Sequence, residues 1–213
     1  MNEKSKFRFK DIFKILIITT VAVYVALIGL LFLYPDNENL PLLATENSEI
    51  EPYAIFSTGN INAPIHISEF YNYDCIHCQN HTKENFEYFH SLVEDGTLYI
   101  SYFPIGSREK SMKAYCAVQN NKFIEYHLST MSGENTDIGT CPDTEKAELT
   151  LQKIVEVATS IQATSTPNFI VNGQPIEGYQ DQKDWQLLFS KLIKEKTFTS
   201  SNPEIPRKDS TFP

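Results

Sequence analysis

The 213-residue chain has no excess of positive charge: 18 Lys and Arg stand against 27 Asp and Glu, a formal net charge of −9. A nucleic-acid-binding protein needs a basic face on its folded part, so that class is excluded for the body of the chain. No internal repeat is present, which excludes repeat arrays. Cysteine is sparse, with four residues: Cys75, Cys78, Cys116 and Cys141. Cys75 and Cys78 form one C-x-x-C pair. Cys116 and Cys141 are too far apart to form the second pair that a structural zinc site ordinarily requires. Aromatic residues are not lacking: at 12% they argue against disorder and for a packed core.

The charge is unevenly placed. Residues 1–35 carry Lys4, Lys6, Arg8, Lys10 and Lys14 against Glu3 and Asp11, a net of +3, so the remainder is at −12. Between these halves, Ile12–Leu33 is almost entirely apolar, and the 20 residues Ile15–Tyr34 contain no charge. At about 1.5 Å per residue such a helix spans a hydrocarbon core of about 30 Å. The run is longer than the apolar core of a signal peptide, and Pro35–Glu46 offers no small-x-small cleavage site. The expectation is an uncleaved, single-pass anchor over residues 12–34. The basic flank orients it, with residues 1–11 in the cytoplasm and the body periplasmic or extracellular, where disulfides persist.

Residues 35–52, rich in Asn, Glu, Pro and Leu, read as a linker. The folded domain is expected over 53–196, and a flexible tail over 197–213. Within the domain, Pro64–Tyr73 and Leu98–Phe103 read as strands around a helix from about Cys75 to Val93. That helix carries Phe86, Phe89, His90 and Val93 on one face and stops at Glu94-Asp95-Gly96. Residues 107–160 read as mostly helical, with a loop around Gly133–Pro142. Phe169–Val171 and Pro175–Tyr179 flank an Asn172-Gly173 turn and form a hairpin. Asp181 or Asp184 caps a last helix carrying Trp185, Leu188, Phe189, Leu192 and Ile193. A β-α-β start and a β-β-α finish around one sheet predict an α/β thioredoxin fold, with the helical block as an inserted subdomain.

The chemistry sits at Cys75-Ile76-His77-Cys78. At a helix start the free N–H groups and the dipole favour a thiolate on the first cysteine, and the thiolate is both attacking and leaving species in disulfide exchange. His77 can add a donor or a positive charge. A rival reading takes Cys75, His77, Cys78 and His81 as a copper or zinc cluster, but His81 is expected to be an exposed helix residue. Asn80-His81-Thr82 matches a glycosylation sequon by chance. No cofactor is expected.

Three separated segments carry a family resemblance. "ISEFYNYDCIHC" resembles the active-site strand and helix start of DsbA-like thiol–disulfide oxidoreductases. "YISYFPIGSREKSMKAYCAVQNNKFIEYH" resembles their second strand and first insert helices, and "TSTPNFIVNG" their cis-proline segment. The resemblance implies that Glu69 is the family's buried acid beneath the disulfide, which helps move protons. It implies that Thr166 and Pro167 form the cis-proline pair facing the active cysteines. It further implies a structural disulfide between Cys116 and Cys141 across the insert. The implied function is the introduction of disulfides into exported cysteine-containing proteins. The implied partner is a membrane quinone-linked thiol oxidase, DsbB-like or VKOR-like, that reoxidises a monomeric enzyme. Ile76 stands where the family commonly has proline, and Thr166 also occurs in isomerases and reductases, so an isomerase or reductase fed by a membrane electron donor is the alternative. Isomerases of this fold usually carry a dimerisation domain before the catalytic one. The short stretch between anchor and first strand leaves no room for it.

Overall fold

The computed structural model describes residues 47–163 and 165–201. The expected anchor at 12–34, its basic tail, the linker up to residue 46 and the last 12 residues lie outside them. Among the described residues no helix is long and apolar enough to cross a membrane.

The chain is packed from Asn47, six residues before the expected start of the domain. A single turn, α1 (Asn47–Ile50), runs into a 3-10 turn at Glu51–Tyr53. The buried Asn47 side chain bridges two strands. Its Nδ2 donates to Ser68 Oγ at 2.9 Å and to the Ile170 carbonyl at 2.8 Å, and its Oδ1 accepts from Gly173 N–H at 2.8 Å.

Five strands follow: β1 (Phe56–Gly59), β2 (Ile65–Tyr71), β3 (Leu98–Pro104), β4 (Asn168–Val171) and β5 (Gln174–Glu177). They form one sheet in the order β1-β3-β2-β4-β5. β2 and β3 are parallel and the other pairs antiparallel. Helix α2 (Ile76–Glu94) makes the crossover between β2 and β3, as a parallel pair requires. β2 and β3 are the central strands and are buried along almost their whole length, so they show little of the alternation expected of a half-exposed strand. The edge strand β1 has no sequence signal beyond one phenylalanine. It pairs because Gly59, at φ 107°, lets the backbone approach β3: a Cβ there would lie 2.3 Å from the Leu98 carbonyl oxygen.

Between β3 and β4 lie α3 (Arg108–Gln119), α4 (Phe123–Met131) and α5 (Thr144–Ser160), the last capped by Asp143, whose carboxylate accepts Lys146 N–H at 2.9 Å. These three helices are the inserted subdomain. After the β4–β5 hairpin comes α6 (Gln182–Ser201), which runs past the expected start of the tail at 197. It is capped by Asp181, whose carboxylate accepts Asp184 N–H.

Glu69, Tyr102 and Phe169 are register partners on adjacent strands, so their side chains share one face of the sheet. Ring contacts place helices over that face: Phe169 meets His81 of α2 and Trp185 of α6, and Tyr102 meets His127 of α4. Ser68 and Ile170 alternate to the other face, where Asn47 holds α1.

The buried face of α2 differs from the expected one. It consists of Cys78, His81, Thr82, Asn85 and Phe89, while His90 is exposed. His81, expected to be exposed, is only 2% accessible. It lies among Phe89, Phe169 and Trp185 at 4.7–5.9 Å between ring centroids. Asn85 Nδ2 donates to His81 Nδ1 and to the Gln180 carbonyl. Hydrogen bonding to Asn85 and to the loop before α6 makes burial of a histidine tolerable.

Candidate active site

The site forms where β2 ends and α2 begins. Asn72 turns the chain: its side-chain oxygen accepts Asp74 N–H at 3.0 Å and its carbonyl accepts Cys75 N–H at 3.1 Å. Cys75 is then the extended N-cap residue of α2 (φ −86°, ψ 118°), and its carbonyl accepts the N–H of Gln79 at 3.0 Å. Gln79 also returns its amide to the Tyr73 carbonyl at 2.8 Å, which ties the first helical turn to the loop that precedes it.

Cys75 and Cys78 are free thiols in this structure, the first half-buried and the second fully buried. The two differ in acidity. Partial burial works against the Cys75 thiolate. The Thr166 side chain, the Cys78 backbone N–H and thiol, and the His77 backbone N–H outweigh it and lower the pKa below the ordinary thiol value. It is the peptide N–H of His77 that reaches the sulfur, while its ring sits on an exposed residue. Burial pushes Cys78 up to about 12, against a hydrogen bond from Asn72 N–H and with help from the negative charge of Glu69. Cys75 is therefore the more acidic thiol and Cys78 the protonated partner.

Glu69 lies in β2, 3% exposed, and its Oε1 has no hydrogen-bond partner. Burial raises its pKa to about 8, so near neutral pH most of it carries a proton.

The Thr166–Pro167 peptide is cis, and it stands immediately before β4, where proline's missing N–H interrupts no ladder. Cys75 Sγ lies 3.2 Å from the Thr166 carbonyl oxygen and donates to it when protonated. Cys75, Cys78, His77, Thr166, Pro167 and Glu69 thus converge at one end of the sheet. Cys116 and Cys141 are joined in a disulfide that ties α3 to the loop before α5. Asn120 reinforces that tie, donating to the carbonyls of Ile138 and Thr140. Cys75, His77, Cys78 and His81 do not converge, because His81 points into the core. Among the described residues no group of three or more His, Cys, Asp or Glu is placed to hold a metal.

Residues 53–136 match the thioredoxin family model. The domain has the thioredoxin fold with an inserted helical subdomain. Among solved structures, alpha-DsbA1 of Wolbachia pipientis aligns at a TM-score of 0.58 and 14% identity, over 68% of this chain and 93% of that one. BdbD from Bacillus subtilis, in its oxidised form, aligns at 0.58 and 14%, over 73% and 100%. The thiol–disulfide exchange protein alpha-DsbA2 of Wolbachia pipientis aligns at 0.54 and 18%, over 68% and 92%. No curated protein matches the sequence. At these identities the structural likeness establishes the fold. The thioredoxin family match over residues 53–136 and the acidified Cys75 at a helix start are the features that thiol–disulfide exchange chemistry uses.

Two contributors carried no signal in the sequence reading. Asn72 supplies both the turn before Cys75 and the N–H that faces Cys78. Gly106 lies against the Asn72 amide so closely that a Cβ would meet its Cγ at 2.3 Å. A glycine two residues after the strand-ending proline was the only available hint.

Proposed function

We propose that the protein is an extracytoplasmic oxidase that introduces disulfide bonds into exported proteins through a Cys75–Cys78 disulfide. The observation that carries this reading is the asymmetry of the pair, with Cys75 half-buried at the helix start and acidified, and Cys78 buried and protonated. Thiolate stabilisation acts on the reduced form alone, so it favours the dithiol and makes the disulfide more oxidising.

The reaction starts from the Cys75–Cys78 disulfide. A client thiolate attacks Cys75 Sγ, a client–Cys75 bond forms, the Cys75–Cys78 bond breaks, and Cys78 leaves with the electron pair. At a pKa of about 12 the released Cys78 takes up a proton, and we assign the donor to buried, protonated Glu69, whose charge is felt at Cys78. A second client thiolate then attacks the client sulfur of the mixed disulfide. The client disulfide forms and Cys75 leaves as the stabilised thiolate. The client loses two electrons and the Cys75–Cys78 pair gains them. Its return to the disulfide requires an external two-electron acceptor, which we assign to a membrane quinone-linked thiol oxidase of DsbB-like or VKOR-like chemistry. The apolar stretch at residues 12–34 anchors the domain on the outer side of that membrane.

The test is the equilibrium of the Cys75–Cys78 pair against reduced and oxidised glutathione. An oxidase yields a pair that glutathione reduces readily, and Cys78→Ser accumulates client mixed disulfides through Cys75. A pair more reducing than glutathione would instead support the reductase or isomerase reading.

A further inference from the structure

The turn between β5 and α6 ties the cis-proline segment to the helix that carries the cysteines. Gly178, at φ 77°, reverses the chain after β5. Its N–H donates to the Pro167 carbonyl at 2.9 Å, one bond beyond the end of the β4–β5 pairing. The Tyr179 hydroxyl bonds the Glu84 carboxylate on α2. The Gln180 carbonyl accepts from Asn85 Nδ2 at 3.2 Å and from the His81 ring, both on α2. Three consecutive residues therefore grip Pro167 on one side and α2 on the other. Cys75, at the head of α2, closes the circuit 3.2 Å from the Thr166 carbonyl oxygen.

Asn85 is costly where it stands. Asparagine is a poor residue for a helix interior, this one is fully buried, and its Oδ1 has no hydrogen-bond partner. A leucine there would pack without an unmet acceptor. Two of the amide's contacts lie within α2 itself, at the His81 carbonyl and the His81 ring. What asparagine supplies and leucine cannot is a donor to Gln180, 95 residues away. The position of Thr166 depends on such a tie. The pairing of β4 with β2 ends at Asn168, so the strand ladder alone does not set how far Thr166 and Pro167 stand from Cys75.

We infer that Asn85 is a positioning residue for thiol–disulfide exchange: it holds the Gly178–Gln180 turn on α2, and through Pro167 that turn keeps Thr166 against Cys75. Asn85 touches neither sulfur and acts through Thr166 alone. The Thr166 side chain favours the thiolate at Cys75. A turn that drifts from α2 withdraws that stabilisation from the reduced form and moves the Cys75–Cys78 pair toward the disulfide. The inference rests on the thiol-exchange reading above and names a residue that sets the balance of that pair.

The test uses the full-length chain with Asn85→Leu or Tyr179→Phe, each made in the wild type and in Thr166→Val. Two quantities are read: the equilibrium of the Cys75–Cys78 pair against glutathione, and a thiolate absorbance titration of the reduced protein. Asn85→Leu should move the equilibrium toward the disulfide by about threefold to tenfold, up to the worth of one hydrogen bond to a charged group. The Cys75 titration should move up with it. Tyr179→Phe, which removes only the bond to Glu84, should move both in the same direction by a smaller amount. In Thr166→Val neither substitution should shift the pair further toward the disulfide, because the group through which they act is gone. An Asn85→Leu chain that melts at a lower temperature but keeps the wild-type equilibrium and titration has lost packing alone, and overturns the inference. A shift of the same size with Thr166→Val already in place also overturns it, because the effect would then lie in α2 itself. If Asn85→Leu does not fold, Tyr179→Phe decides: a shift in the wild type that vanishes in Thr166→Val supports the inference, and any other pattern overturns it. A wild type that does not exchange with glutathione fails the thiol-exchange reading, and the titration, which needs no exchange partner, still judges Asn85.

Discussion

The thiol of Cys75 lies 3.2 Å from the backbone carbonyl of Thr166, a residue 91 positions further along the chain. The start of α2 and the cis-proline turn are brought together by the antiparallel pairing of β2 with β4. The side chain of Thr166 also favours the thiolate form at both active sulfurs. Thr166→Val keeps the carbonyl and the shape and removes the hydroxyl. The Cys75 pKa should rise, and the thiol–disulfide equilibrium should move about tenfold toward the disulfide, the worth of one hydrogen bond to a charged group. A thiolate absorbance titration and a glutathione equilibrium measure the two. An unchanged titration in Thr166→Val would show that the helix start alone acidifies Cys75.

The second disulfide has a separate role. Cys116 and Cys141 are 25 residues apart in sequence, and closing such a loop stabilises by about 3 kcal/mol on the chain-entropy account. Cys116→Ala with Cys141→Ala should lower Tm by roughly 6–12 °C for a domain of this size. Asn120 still holds the loop through two carbonyls, so the fold should survive. The glutathione exchange rate at Cys75 should stay within about twofold. A fall in exchange at unchanged Tm would reveal an electron-relay role instead.

Much of this site was legible because its signals are local. Cys75-Ile76-His77-Cys78 announces itself, Asn172-Gly173 marks the hairpin, and Glu94-Asp95-Gly96 ends α2 where the structure ends it. The failures share a physical cause, which is partners distant in sequence. His81 reads as an exposed helix residue, because the rings that bury it, Phe169 and Trp185, and the loop at Gln180 that completes its surroundings lie far along the chain. The 3.6-residue pattern of apolar side chains therefore found only part of the buried face of α2: Phe89 lies on it and Val93 packs against the core, while His90 is exposed. Strand β1 was missed because Ser57, Thr58 and Gly59 carry no apolar alternation, and only the approach of Gly59 to Leu98 creates the pairing. Asn47 looked like linker for the same reason, since its three partners lie on β2, β4 and the hairpin turn.

That role of Asn47 can be measured. Asn47→Ala leaves the half-buried Gly173 N–H without its partner and removes the bonds to Ser68 Oγ and to the Ile170 carbonyl. The orphaned N–H costs about 1–3 kcal/mol and each further lost bond about 0.5–1.5 kcal/mol, so a loss of about 2–4 kcal/mol is expected in denaturant unfolding. Asn47→Asp should be no better, because the carboxylate keeps the acceptor but loses the amide that donates to Ser68 and Ile170. A change below about 0.5 kcal/mol for Asn47→Ala would mean that α1 is not part of the cooperative unit.

Stability should peak near pH 6.5, for reasons that can be assigned to three buried groups. Glu69 has a folded pKa of about 8 against 4.5. The folded state therefore binds the extra proton between those values, and stability falls as pH rises from 4.5 to 8. His81 and His127 are the reverse case. Burial lowers both from 6.5 to about 3, so the unfolded state binds their protons first, and stability falls as pH drops below 6.5. Each group contributes a slope of up to about 1.4 kcal/mol per pH unit inside its window. Between pH 4.5 and 6.5 two histidines oppose one glutamate, so the net slope is upward with pH. Between 6.5 and 8 only Glu69 acts, and the slope is downward. The measurement is urea unfolding across pH 4.5–8.5 with the Cys75–Cys78 disulfide closed, so that neither thiol titrates. Glu69→Gln should flatten the alkaline limb and leave the acid limb, while His127→Phe should reduce the acid limb alone. A wild-type stability that rises between pH 6.5 and 8 would show that Glu69 is ionised in the folded protein, and would remove it as the proton donor to Cys78.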